Sequence, residues 1–167
     1  AGLLKDGKAS TYEGGFRVPC IFWGRMLTPA LIPGMGSSLD LLTTLCDMAG
    51  VQLPTDRVYD GKSLKQVLLN NKETPRDIFS FFRGSELYAF RKGKYKVHFI
   101  SRAAYGSRDK TIHVVPLLYD IEDGPGGLYN IAAKHPDIVK DLTTEARIYM
   151  EGIQIQKSIF DLPPVNL

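Results

Sequence analysis

Cysteine is scarce in this 167-residue chain: Cys20 and Cys46 are the only two, so at most one internal disulfide can form, and no Cys-x-x-Cys or Cys/His metal pattern occurs. Cys20 falls in an apolar stretch and Cys46 on the apolar side of a helical pattern. Cysteine behaves there as a small hydrophobe, and both are expected to be buried thiols. No apolar run reaches the roughly 18 residues that cross a bilayer, so no membrane span is expected. The opening Ala1-Gly2-Leu3-Leu4-Lys5-Asp6 has neither the charged start nor the apolar length of a signal peptide. Ala in place of Met at position 1 adds the expectation that further residues precede it. Excess charge is also thin. A formal net charge of +3, scattered along the chain, leaves no footprint for nucleic acid, and the expected partner is a small anion or a sugar. Internal repeats and low-complexity segments are absent.

What is present fits a globular protein with one sizeable core or two small ones: 44% of residues are hydrophobic and 23% charged. Phe16 to Trp23 is rich in β-branched and aromatic residues and reads as a buried strand, irregular at Pro19. Leu39, Leu42, Leu45, Cys46 and Ala49 recur at helical spacing, predicting a helix from Ser38 to about Met48, capped by Ser37 or Ser38 and ended by Gly50. Pro54 to Asp60 marks the expected boundary between two parts, 1–54 and 55–167. A short helix is expected over Ser63 to Asn70. Ile78 to Arg83, Leu87 to Arg91, Lys94 to Ile100 and Pro116 to Ile121 read as four strands of an antiparallel sheet, with a hairpin turn at Lys92-Gly93 and a polar loop over Ser101 to Thr111. Pro136 opens a helix whose Ile138, Val139, Leu142, Ala146, Tyr149 and Ile153 form an apolar stripe that should cover one sheet face.

The chemistry concentrates in Lys8-Ala9-Ser10-Thr11-Tyr12-Glu13-Gly14-Gly15-Phe16-Arg17-Val18-Pro19. Gly14 and Gly15 permit positive φ and close approach of a ligand, and Lys8 and Arg17 offer compact and forked cationic donors for an anion. A sharp turn braced by a Glu13 to Arg17 ion pair accounts for the same residues. On the expected third strand Lys94, Lys96 and His98 alternate to one side. A solvated basic face explains the lysines, and an acidic-sugar site is the alternative. Asp120, Glu122 and Asp123 lack the oxygen-ligand spacing of an EF-hand and are read as a turn. His113 is read as incidental, and His135 as at most a cap before Pro136.

The Lys-x-(Ser/Thr)-Thr-Tyr-Glu-Gly-Gly-x-Arg run resembles the sulfatase family, in its arylsulfatase and N-acetylgalactosamine-6-sulfatase branches. The likeness continues through Ser38 to Leu45, Asp60-Gly61-Lys62-Ser63-Leu64, Gly93 to Phe99 and Leu118-Tyr119-Asp120. It covers most of the chain but only the C-terminal part of such an enzyme. The segment after Asp120 departs from the family's usual Asp-Pro-x-Glu, with Gly124 before Pro125 and Gly127 replacing the Glu, ahead of Asn130.

The resemblance implies the end of an alkaline-phosphatase-like α/β domain (residues 1–54), then a four-stranded antiparallel sheet on a C-terminal helix (55–167), so that this piece alone is α+β. It implies hydrolysis of aryl or carbohydrate sulfate esters by the parent protein, with Lys8 contacting the sulfate as its catalytic contribution. His98 joins Lys8 in substrate binding, with a satisfied structural histidine as the alternative, and Glu13 and Arg17 brace the site. Calcium and a formylglycine made from Cys/Ser-x-Pro-x-Arg are implied as well, but no cysteine or serine here sits in that motif. Both are therefore expected in a missing N-terminal catalytic portion, leaving this chain inactive alone, without a metal site, and prone to dimerise through the exposed Phe16 to Trp23 strand. An extracytoplasmic location, secreted, periplasmic or lysosomal, is implied too. The rival readings are a non-catalytic binding or assembly module derived from a sulfatase and part of a related phosphoesterase.

Overall fold

The computed structural model describes residues 2–104, 109–123 and 127–153. Contacts divide the chain into two units: residues 1–17 with 78–167, and residues 18–77. The boundary expected at Pro54 to Asp60 thus falls within the second unit, and the segment carrying Lys8 groups with the sheet.

In the first unit, β1 (Ile78–Arg83), β2 (Glu86–Lys92), β3 (Tyr95–Ser101) and β4 (Thr111–Asp120) form an antiparallel meander in the order β1-β2-β3-β4. Gly84 and Gly93 take positive φ in the two tight turns, the conformation for which glycine is suited. β4 begins five residues before the expected start at Pro116. Pro116 is tolerated because it lies on an edge strand, where the β3–β4 register shifts and its missing N–H leaves no rung empty. One face of the sheet presents Phe90, Val97 and Leu118, all fully buried against Val139, Leu142 and Ala146 of a helix over Pro136–Glu151. That is the apolar stripe expected from the sequence, and Pro136 stands in the first turn, where its lack of an N–H costs nothing. A 3₁₀ turn, Ala132–Lys134, precedes it. Asn130 fixes the approach by accepting the backbone N–H groups of Leu118 and Ala132 at 3.0 and 3.1 Å. Gly124 and Pro125 lie outside the described residues.

The opposite face of the sheet is covered by residues 2–17, which end in the single-turn helix α1 (Glu13–Phe16). Beyond it, Val18 to Gly24 forms no strand: the expected strand is replaced by an irregular segment with Val18, Ile21 and Trp23 exposed, Trp23 at 93%. Backbone there finds no neighbouring strand among the described residues, and a strand cannot hold without one.

The second unit is built on α2 (Asp40–Ala49) and α3 (Lys65–Asn70). Both ends of α2 follow local rules. Ser37 Oγ accepts the Leu39 N–H and Asp40 reaches back to the Ser37 N–H at 2.8 Å, while Gly50 closes the helix at positive φ. The orientation of α2 is the surprise. Asp40, Thr43 and Thr44 are buried, whereas Leu39, Leu41, Leu42 and Leu45 are exposed, Leu45 by 58%. Asp40 accepts from Arg76 Nε at 3.0 Å and the Lys62 N–H at 2.8 Å, and Thr44 Oγ1 accepts the Leu64 N–H at 2.9 Å. Gly61 fits because a Cβ there would stand 2.2 Å from the Leu39 carbonyl oxygen. The Asp60 to Leu64 motif therefore docks backbone against the polar side of α2. Burial pushes the Asp40 carboxyl up, but bonds from Arg76, Lys62 and Ser37 outweigh it and hold the carboxyl below its ordinary range.

Candidate functional site

The segment around Lys8 is held to the sheet by polar contacts with side chains of β1, β3 and β4. Before Lys8, the Lys5 ammonium donates to Tyr119 Oη at 3.0 Å and lies 4.4 and 4.6 Å from the ring centres of Tyr119 and Tyr12. After it, Arg83 donates to the Ala9 carbonyl, and Lys96 donates to the Thr11 carbonyl at 2.6 Å and to Glu13 Oε1 at 2.9 Å. Phe16 meets Phe81 edge-on, ring centres 4.9 Å apart. Between these anchors Asp6 and Ala9 adopt positive φ, 61° and 76°, a conformation that costs a residue with a Cβ about 1–2 kcal/mol. Lys8 stands between them, exposed, and without an ion pair among the described residues.

Gly14 and Gly15 play a different part from the one expected. Neither has positive φ, and what closes on them is the chain itself. A Cβ on Gly14 would lie 2.1 Å from the Asp6 carbonyl oxygen, and one on Gly15 2.3 Å from that of Ser10. The paired glycines fold the segment back on its own backbone, and the Gly14 N–H donates to the Lys5 carbonyl at 2.9 Å.

The expected basic face of β3 is likewise corrected. Lys96 is 1% exposed and His98 fully buried, while Lys94, in the turn before β3, pairs with Asp120 at 2.8 Å. Asp120 also accepts the N–H groups of Glu122 and Asp123, so the acidic cluster forms a turn. Glu13, 3% exposed, takes its main bond from Lys96. Arg17 Nε reaches only within 4.0 Å of Oε2 and its side chain lies largely in solvent. Burial pushes the Lys96 ammonium down to about 8 and the nearby charge of Arg91 adds to this, with Glu13 opposing both.

His98 stacks on Tyr12 with ring centres 4.5 Å apart and 22° between planes, and meets Tyr119 edge-on at 5.5 Å. Neither imidazole nitrogen has a partner at hydrogen-bonding geometry among the described residues. Burial, then the charges of Lys96, Lys5 and His113, hold it well below its ordinary value, so the ring is neutral. Burial also raises Tyr12 to about 12. His113 bonds Ser101 Oγ at 2.8 Å. Lys8 and His98 thus belong to the same covered face of the sheet, one on its outside and one beneath. The Lys96–Glu13 and Asp40–Arg76 pairs carry no local signature, since each joins residues far apart in the chain.

Both cysteines are free, and Cys20 is exposed and Cys46 half-buried, contrary to the expected buried thiols. Among the described residues no group of three or more His, Cys, Asp or Glu could hold a metal ion, and no described helix is long and apolar enough to cross a membrane.

A family model described as the C-terminal region of aryl-sulfatase matches residues 74–163. Arylsulfatase A of Bos taurus is 36% identical over 180 residues, 96% of this chain and 34% of the relative. N-acetylgalactosamine-6-sulfatase of Canis lupus familiaris is 43% identical over 100 residues, 59% of this chain and 19% of the relative. Among solved structures, the PsFucS1 sulfatase from Pseudoalteromonas sp. superposes with a TM-score of 0.75 at 21% identity, over 87% of this chain and 32% of that one, a likeness of fold. This chain spans about a third of the length of the arylsulfatase A it matches. Motifs, sheet and family match agree: the chain belongs to the sulfatase family and carries its C-terminal region.

Proposed function

We propose that the protein to which this region belongs hydrolyses aryl or carbohydrate sulfate esters, and that Lys8 contacts the sulfate. A sulfate monoester carries one negative charge, and its transfer loads further charge onto the departing oxygen. An ammonium already fixed beside those oxygens stabilises that change most. The observation that carries the proposal is Lys8, exposed and without an ion pair among the described residues, held between the anchored Lys5 side chain and the anchored carbonyls of Ala9 and Thr11. Glu13 braces the loop through Lys96, with Arg17 at its margin. His98, closed off by Tyr12 and Tyr119, supports the loop from beneath, and direct contact with substrate would require Tyr12 to move aside.

Among the described residues no cluster of His, Cys, Asp or Glu could hold a metal ion, and the Cys/Ser-x-Pro-x-Arg motif does not occur in the sequence. Calcium and the formylglycine are assigned to the remainder of the protein, whose contact with this chain the bare Leu39, Leu41, Leu42 and Leu45 of α2 support. An extracytoplasmic location rests on the family resemblance alone.

The test is turnover of a chromogenic aryl sulfate by the full-length protein, wild type and Lys8→Ala, with an aryl phosphate in parallel to separate the phosphoesterase alternative. Removing one preorganised donor should lower kcat/KM by about 10²–10³-fold. The unfolding midpoint should hold, because Lys8 is exposed. Unchanged kcat/KM overturns the role of Lys8, and preference for the phosphate overturns the reaction class. The isolated chain should show no turnover with calcium supplied, and any turnover would show that the nucleophile lies within it.

A further inference from the structure

Lys96 is a costly residue to bury. Its ammonium is withdrawn from water on the inner side of residues 2–17, where it donates to the Thr11 carbonyl at 2.6 Å and the Glu13 carboxylate at 2.9 Å and lies 3.5 Å from the centre of the Phe81 ring. A buried ion pair of this kind is generally replaceable by apolar side chains of similar volume without loss of stability. What an apolar pair would not do is fix the backbone three residues beyond Lys8, in a stretch that also holds Ala9 at an unfavourable φ.

We propose that Lys96 is a positioning residue for the reaction: through Thr11 and Glu13 it sets the place of the Lys8 ammonium relative to the sulfate. This rests on the role given to Lys8 above. A loop free to relax at Ala9 would let Lys8 drift, and displacement by about 1 Å at a charge-stabilising group costs up to roughly 100-fold in rate. Lys96 touches no substrate itself. Its effect on turnover therefore passes through Lys8, and that dependence separates it from a residue that only stabilises the fold.

The experiment is a double-mutant cycle in the full-length protein, with Lys96→Met made in the wild-type and Lys8→Ala backgrounds. Aryl sulfate kinetics are read at a temperature where circular dichroism shows every variant folded. Lys96→Met should lower kcat/KM by roughly 10- to 100-fold when Lys8 is present and by less than about twofold when it is absent, because residues acting through one another are not additive. Equal losses in both backgrounds, or none in either, overturn the proposal. If Lys8→Ala alone leaves kcat/KM intact, the role of Lys8 fails first and the positioning role goes with it. Should Lys96→Met not accumulate as folded protein, Glu13→Gln, which keeps shape and removes charge, carries the same cycle with the same criteria.

Discussion

The imidazole of His98 lies flat against the ring of Tyr12, centres 4.5 Å apart, with neither nitrogen at hydrogen-bonding geometry to any described residue. The arrangement asks for a neutral ring. Its pKa is depressed in the folded chain, chiefly by burial, against an ordinary value of 6.5. The unfolded chain therefore binds the extra proton first as pH falls. His98 contributes its stability in full above 6.5, and that contribution is lost as pH drops towards the folded value, by at most about 1.4 kcal/mol per pH unit. Urea unfolding between pH 5 and pH 8 should show this acid sensitivity, and His98→Phe should flatten it. A slope that persists in the variant would assign the effect to another group.

Asp40 and Arg76 form the buried polar centre of the 18–77 unit. Asp40→Ala removes the buried carboxylate shared by Arg76 and the Ser37 and Lys62 N–H groups and should cost about 3–5 kcal/mol in urea unfolding. Adding Arg76→Met should recover only part of this, because the Ser37 and Lys62 N–H groups have also lost their acceptor. A loss below about 1 kcal/mol for Asp40→Ala would mean that the pair is dispensable.

Gly14→Ala places a methyl against the Asp6 carbonyl and should cost about 1–3 kcal/mol, where Ala ordinarily favours a helix over Gly. Stability equal to or above wild type in thermal unfolding would refute the close approach.

On α2, Leu42→Lys and Leu45→Lys remove apolar surface that is exposed among the described residues. In the isolated chain they should leave unfolding unchanged within about 0.5 kcal/mol and raise solubility. In the full-length protein the same changes should lower the folded yield sharply. If both proteins tolerate them equally, the remainder of the protein does not rest on this face, and light scattering of the isolated chain then decides whether a second copy does.

The sheet and its covering helix were legible in the sequence because their information is local. Short aromatic and β-branched segments, the Lys92-Gly93 turn and the stripe from Val139 to Ala146 each declare themselves within a few residues. The helix at Asp40–Ala49 was legible for the same reason, yet its facing was not. Hydrophobic spacing assumes the apolar side turns inward, and here the buried side is polar because Arg76 and the Lys62 and Leu64 backbone groups meet it. Lys96 was misread by the same logic. Alternating basic residues indicate a wet face unless another part of the chain lies over them, and residues 2–17 do so from more than 80 positions away. The Phe16 to Trp23 stretch has the composition of a strand, but composition supplies no partner for its backbone.

One consequence of the discontinuous first unit concerns time. The meander closes by hairpins between neighbours, whereas the Lys8 segment must return across the whole of residues 18–77, and loop closure over that distance is entropically late. During refolding, pulse-labelled hydrogen exchange should find amides of Phe90 and Val97 protected before that of Gly14. The charge on Lys8 is then put in place only after the platform beneath it exists, so a molecule arrested one step short would look finished by its sheet content and yet be unarmed.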